Sequence, residues 1–310
     1  MNLVWVTGAA GFIGRHLVRY LAGTGARVAG LDLAGAAPVE IAGLVVGWQA
    51  GAVSQETLSA LASETGLPDT LFHLAGGSSV GASLGDPYRD FSATIGGTGM
   101  LLEWLRRNAT DTRLVIASSA AVYGNLHSGP ISDDAPTAPF SPYGAHKFAT
   151  EAICRGWASS FGLNVAAARL FSIYGSGLTK QLLWDLSGKL WNNAPVVTLG
   201  GTGDELRDWT HVGDVVRALA AVVPMASTEM PVVNVGTGRP ESVRAIAEHL
   251  TRAYGRDPKC LRFSGESRPG DPFSLVAAPG RLAEAGFEFR VQLADGIADY
   301  ADWYRVRAAS

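Results

Sequence analysis

The chain has 310 residues and a formal net charge of −3, from 25 Lys and Arg against 28 Asp and Glu. Hydrophobic residues make up 47% and charged ones only 17%, which excludes a disordered chain and supplies core for one large or two modest domains. The near-neutral balance, with no run of Lys or Arg, excludes a broad nucleic-acid footprint, and no uninterrupted apolar stretch is long enough to suggest a membrane span.

The opening MNLVWVTGAAGFIG lacks the basic start of a secretory signal. It reads as a buried strand over Leu3–Thr7, a tight glycine turn, and a helix over Phe12–Ala22. Short apolar runs recur at Arg27–Asp32, Thr70–Ala75, Arg113–Ser118 and Asn164–Leu170, separated by helical stretches of which Gly96–Arg107 and Tyr143–Phe161 are the clearest. Near-continuous apolar strands alternating with helices predict an α/β fold, a doubly wound parallel sheet covered on both faces. After Leu170, Pro and Gly become frequent, Trp184, Trp191 and Trp209 appear, and the alternation loses its regularity. This predicts a smaller, interleaved α/β lobe from residues 171–209 and about 237–310. The large domain takes 1–170 plus about 210–236, through a helix near Val212–Val223 and a strand near Val232–Val235. A cleft between the two is the expected ligand site.

Three features in that order point to a dinucleotide. Gly8, Gly11 and Gly14 follow the first strand with the spacing G-x-x-G-x-x-G, where a backbone bare of side chains lets a pyrophosphate approach a helix N-terminus. Asp32 ends the second strand, where its carboxylate can accept hydrogen bonds from the adenosine ribose; a loop cap is the plainer alternative. No Arg or Lys follows in LAGAAPVE to meet a 2′-phosphate, so NAD is favoured over NADP.

Further along, Tyr143 and Lys147 stand at i and i+4 of a helix opened by Pro142, so both can point into one cleft. The lysine ammonium and a positive nicotinamide ring would together pull the phenol down from its usual value near 10, making a base. Ser119 ends the strand at Arg113–Ser118 and could donate to the same substrate oxygen, since strand C-termini face the crevice in doubly wound sheets. His73, His127, His146, His211 and His249 show no ligand spacing, so no metal is expected, and His211 reads as a structural histidine. Cys154 and Cys260 are too few for a disulfide framework or a cysteine zinc site, which makes a reducing cytoplasm the default location.

With these pieces in place the sequence resembles an extended short-chain dehydrogenase/reductase of the NAD-dependent epimerase/dehydratase family. The likeness runs along nearly the whole chain through TGAAGFIG (7–14), Asp32, FHLAG (72–76), SSAAVYG (118–124), SPYGAHK (141–147), RLFSIYG (169–175), LRDWTHVGDV (206–215) and RPGD (268–271). The resemblance implies a Rossmann domain. It places the catalytic Ser–Tyr–Lys triad on Ser119, Tyr143 and Lys147. Bound NAD would lie along Gly8, Gly11, Phe12, Ile13, Gly14, Asp32, Leu74, Ala75, Gly76 and Ser118, with Tyr143 and Lys147 at its nicotinamide end. A nucleotide-diphosphate sugar, UDP- or dTDP-linked, would meet Ser119, Ser172, Gln181, Arg207 and Arg268, the arginine forks suiting phosphate oxygens. A homodimer through helices near 96–107 and 147–160 is implied, although their apolar faces serve equally for packing on the sheet.

Departures from the family pattern narrow the function. Related 4,6-dehydratases carry an acidic pair directly after the triad Ser/Thr, where this chain has Ala120 and Ala121, so dehydration is disfavoured. Ser172 and Thr94 replace usual asparagines, and an aspartate that often contacts adenine is absent from VVGWQA (45–50). The leading expectation is a UDP-glucose 4-epimerase-like enzyme. The alternatives are a reductase of a 4-keto-6-deoxy sugar nucleotide and a non-catalytic dinucleotide-binding protein, the last disfavoured by the complete triad.

Overall fold

The computed structural model describes residues 2–266 and 272–309. The strands in chain order are β1 Leu3–Thr7, β2 Arg27–Asp32, β3 Val45–Ala50, β4 Thr70–His73, β5 Arg113–Ser119, β6 Asn164–Leu170, β7 Ser172–Tyr174, β8 Val197–Leu199, β9 Leu206–His211, β10 Val232–Val235, β11 Pro240–Ser242, β12 Leu261–Phe263 and β13 Ser274–Leu275. Seven of them form one sheet in the order β10-β6-β5-β4-β1-β2-β3, and every pairing in it is parallel. Parallel strands need crossovers, and helices supply them, so both faces of the sheet are covered. The doubly wound expectation holds.

Alternation along β1 shows how the two cores are divided. Val4 and Val6 face the layer containing Leu17, Val18 and Leu21 of helix Phe12–Gly23 and Val215, Leu219 and Val222 of helix Val212–Val222. Leu3 and Trp5 face the opposite layer, with Leu58 and Leu61 of helix Gln55–Thr65 and Leu101, Trp104 and Leu105 of helix Gly97–Asn108. Trp5 is fully buried, and its indole donates to Thr65 Oγ1 at 3.1 Å, which satisfies its one polar atom. The order reverses between β1 and β4, so a crevice opens at their carboxyl ends.

The smaller lobe is organised around β9. It pairs antiparallel with β11 and parallel with β13 over its first half, and parallel with β7 over its second. A separate parallel pair joins β8 to β12. Helices Gln181–Trp191, Val243–Ala253 and Leu293–Ala309 pack a third core through Leu183, Leu186, Ile246, Leu250, Ile297 and Tyr300. The buried Asp208 carboxylate accepts the backbone N–H groups of Thr237, Gly238 and Ala277 at 2.7, 2.7 and 3.2 Å, tying β9 to the two later returns of the chain. No helix among the described residues is long and apolar enough to cross a membrane.

Candidate active site

The crevice between the sheet and the smaller lobe is a cavity of about 1190 Å³. Its floor begins at the glycine turn. Gly8 has φ +71, and a Cβ there would lie 2.8 Å from the Ala75 nitrogen; a Cβ on Gly14 would lie 2.1 Å from the Gly8 carbonyl oxygen. Both neighbours are backbone and cannot give way, so only glycine lets β1, the first helix and the loop after β4 meet. This bare cradle fits a dinucleotide pyrophosphate. Asp32 borders it, and its carboxylate accepts Ala10 N–H at 2.9 Å and Ala34 N–H at 3.1 Å. Asp32 thus caps its own turn and at the same time lines the cavity.

The loop after β4 carries Leu74, Ala75 and Gly76 along the cavity. Thr94, in a π-helical turn at Ser92–Gly96, accepts Gly77 N–H on its hydroxyl at 2.8 Å and so shapes that loop. The expected helix at Gly96–Arg107 begins one residue later, at Gly97, because this turn precedes it. Beneath the loop, His73 is clamped between Thr7 Oγ1 at 2.7 Å and Thr98 Oγ1 at 3.1 Å. Burial pushes its imidazole down to about 3, with the Lys147 charge adding to the effect, and it stays neutral.

The triad comes together on the far wall. Ser141 caps helix Pro142–Phe161 by accepting Gly144 N–H at 3.2 Å, and Pro142 opens it, which fixes the face that carries Tyr143 and Lys147. Ser119 ends β5, its hydroxyl accepts Ala121 N–H at 3.2 Å, and it stands near enough to the Tyr143 phenol to favour the phenolate. The Lys147 ammonium donates to the Ala117 carbonyl at 2.9 Å and sits 5.9 Å from the Tyr143 ring centroid. Burial lowers Lys147 to about 8, against the opposing charges of Asp90 and Glu151.

The surroundings of the Tyr143 phenol act on it in opposite directions. Burial raises the Tyr143 phenol above its ordinary value, and Asp90 adds to the rise, while the Ser119 hydrogen bond only partly opposes it. Desolvation disfavours the phenolate, so the expected lowering rests on the Lys147 ammonium together with the positive ring of bound NAD.

Ser118 lines the cavity, yet its hydroxyl turns away and donates to Glu151 Oε1 at 2.5 Å. Glu151 also accepts two Arg169 bonds, at 2.9 and 2.7 Å, and all three side chains are buried. This network and the hydrogen bond between His146 Nδ1 and Asp90 Oδ2 at 2.6 Å anchor helix Pro142–Phe161 from behind. Sequence reasoning missed both, because their partners lie 18 and 56 residues apart.

From the sheet side Phe12 and Ile13 also reach the cavity, and from the smaller lobe Ser172, Gln181 and Arg207 do. Gln181 has φ +65, a conformation a non-glycine residue rarely adopts. Trp184 instead packs against Trp303 and Tyr304, and His211 caps helix Val212–Val222 by accepting Gly213 N–H at 3.1 Å. Arg268, with the rest of RPGD, lies outside the described residues. Among the described lining residues Arg15, Lys147, Lys180 and Arg207 are cationic, and Asp32 is the one carboxylate. In a chain of net charge −3, this concentrates positive charge where an anionic ligand would lie.

Comparison with known proteins agrees with this geometry. Residues 4–236 match the model of the NAD dependent epimerase/dehydratase family. The chain belongs to that family. It is 31% identical over 322 residues to a UDP-glucose 4-epimerase of Azospirillum brasilense, covering 97% of this chain and 92% of the relative. It superposes on a UDP-glucose 4-epimerase of Thermotoga maritima solved with UDP-glucose, with a TM-score of 0.88, 27% identity and 99% of both chains covered. It is also similar to MoeE5 solved with UDP-glucuronic acid and NAD, with a TM-score of 0.86, 32% identity, and 99% and 100% of the chains covered. The chain is thus an NAD-dependent sugar-nucleotide epimerase/oxidoreductase with a Rossmann fold, and NAD is its cofactor.

Proposed function

We propose that this enzyme is a nucleotide-sugar 4-epimerase, resembling UDP-glucose 4-epimerases, that acts on a UDP- or dTDP-linked sugar through a transient 4-keto sugar. The observation that carries the reading is the meeting of Ser119, Tyr143 and Lys147 in a cleft whose neighbouring residues Ala120 and Ala121 hold no acid. Elimination of water needs a proton donor and a base near the sugar. Asp32, the one carboxylate among the described lining residues, is held by Ala10 and Ala34 beside the glycine turn, so no described lining carboxylate is placed to supply that acid.

The glycine turn and Asp32 would hold the dinucleotide, with Tyr143 and Lys147 at its reactive end. NAD, when bound, supplies the acceptor and donor of the C4 hydride and a positive ring charge beside the phenol. The Tyr143 oxygen takes the proton of the sugar 4-hydroxyl and returns it after the keto sugar has turned over. Ser119 donates to the developing carbonyl oxygen, and the Lys147 ammonium favours the phenolate. Ser172, Gln181 and Arg207 would line the nucleotide-sugar side. The same reading includes a homodimer through the outer faces of helices Gly97–Asn108 and Pro142–Phe161, where Met100, Phe148 and Phe161 remain exposed beside the sheet-packed residues.

The test is incubation of the purified enzyme with UDP-glucose and no added cofactor. Formation of UDP-galactose is expected. Turnover only as oxidation of added NADH or NADPH with a 4-keto-6-deoxy sugar nucleotide would replace this reading with the reductase one.

A further inference from the structure

Lys180 is the cation in the cleft whose surroundings the reaction does not explain. It comes from the smaller lobe, immediately before helix Gln181–Trp191, and reaches across the cavity to donate to the Ser78 carbonyl at 2.9 Å. Ser78 belongs to the loop after β4, 102 residues away, so this bond joins the two walls of the cleft. Both residues line the cavity, as do their neighbours Ser79 and Gln181.

The charge balance at Lys180 differs from that at Arg15 and Lys147. Arg15 is paired with Glu40 at 2.6 Å, and Lys147 is supported by the charges of Asp90 and Glu151. Lys180 is half-buried, its ammonium is pushed down by burial, and no carboxylate among the described residues stands close enough to oppose that shift. A backbone carbonyl takes up one of three N–H donors and carries no net charge. A partly desolvated ammonium over a cavity, bonded among the described residues only to a neutral carbonyl, favours binding of an anionic oxygen, where a charge-assisted bond replaces a neutral one.

We infer that Lys180 is a substrate-binding and specificity-determining residue: its ammonium leaves the Ser78 carbonyl to hold an anionic oxygen of the nucleotide sugar as the cleft fills. This rests on the nucleotide-sugar reading above and adds to it the residue that senses the ligand's charge. The anionic oxygen can come from the diphosphate, which every nucleotide sugar carries, or from the carboxylate of a uronic sugar. Its chemistry is shared, and the ligands below separate the two sources.

Calorimetric titration of the NAD-loaded enzyme and of its K180M and K180R variants would use UDP, dTDP, UDP-glucose, UDP-glucuronic acid and the free nucleosides. Diphosphate contact is supported if K180M weakens every diphosphate ligand by about ten- to a hundredfold while nucleoside binding holds and K180R recovers most of the loss. Carboxylate contact is supported if K180M weakens UDP-glucuronic acid alone by that factor. The inference is overturned if all anionic ligands bind K180M within about twofold of wild type, or if the nucleosides lose as much as the diphosphates, which marks Lys180 as an inter-lobe tie only. Wild-type enzyme that binds none of the diphosphate ligands overturns both this inference and the nucleotide-sugar reading, whereas binding insensitive to K180M overturns this one alone.

Discussion

The two walls of the cleft are built by opposite means. On the cofactor side the surface is backbone: Gly8 and Gly14 work by lacking side chains, and the contacts they allow are to the Ala75 nitrogen and the Gly8 oxygen. On the substrate side the surface is side chains from distant segments: Ser119 from β5, Tyr143 and Lys147 from one helix, and Lys180, Gln181 and Arg207 from the smaller lobe. A backbone cradle accommodates one ligand shape and is intolerant of any added atom. A side-chain wall can change its chemistry one residue at a time, which is how one family carries several reactions on one fold.

The comparison is broken most sharply on the side-chain wall. Tyr143→Phe should lower kcat by about 10²–10⁴-fold, the usual contribution of a positioned acid–base, while the purified variant still carries NAD. Unchanged turnover would remove Tyr143 from proton transfer. On the backbone wall the reverse pattern is expected. Gly14→Ala should weaken NAD retention by at least about tenfold, or about 1.4 kcal/mol, and lower the unfolding midpoint, with the triad in place; NAD released from heat-denatured protein is the readout.

A smaller effect sharpens what lies beneath both walls. His73 is held neutral with its value pushed down to about 3, whereas an unfolded chain protonates it near 6.5. Below pH 6.5 the unfolded state takes up a proton that the native state refuses, so stability falls as pH drops from 6.5 toward 3. The slope from this group reaches about 1.4 kcal/mol per pH unit. Urea midpoints measured from pH 7 to 4 should fall less steeply for His73→Gln than for wild type. Parallel profiles would show that His73 titrates alike in both states.

How far the sequence could be read follows the same division. Strands β1, β2, β6 and β10 have the expected bounds, because fully buried parallel strands are short apolar runs that need no partner to be recognised. Strands β7, β8, β11, β12 and β13 have two or three residues each and exist through lateral pairing to distant segments, which no periodicity records. In the cleft, the glycine turn and the Tyr143–Lys147 pair have local spacing and so are visible in the sequence, whereas Ser119, 24 residues before Tyr143, is reached only through the strand end it follows. The Glu151–Arg169–Ser118 network, the Asp90–His146 pair and the Lys180–Ser78 bridge are not visible there, since each is defined by a partner that only folding brings near. Burial of the Tyr143 phenol is likewise a property of the whole cleft, which the spacing to Lys147 does not record.

In the proposed epimerisation one sugar carbon gives up a hydride and receives the same hydride back on its other face, with Tyr143 handling the proton. UDP-glucose carrying deuterium at C4, incubated with purified enzyme and no added cofactor, tests it directly. The expected product is UDP-galactose with the deuterium retained at C4, formed at least about a hundredfold more slowly by Tyr143→Phe. Loss of the label to solvent, or product only when reduced cofactor is supplied, would contradict it.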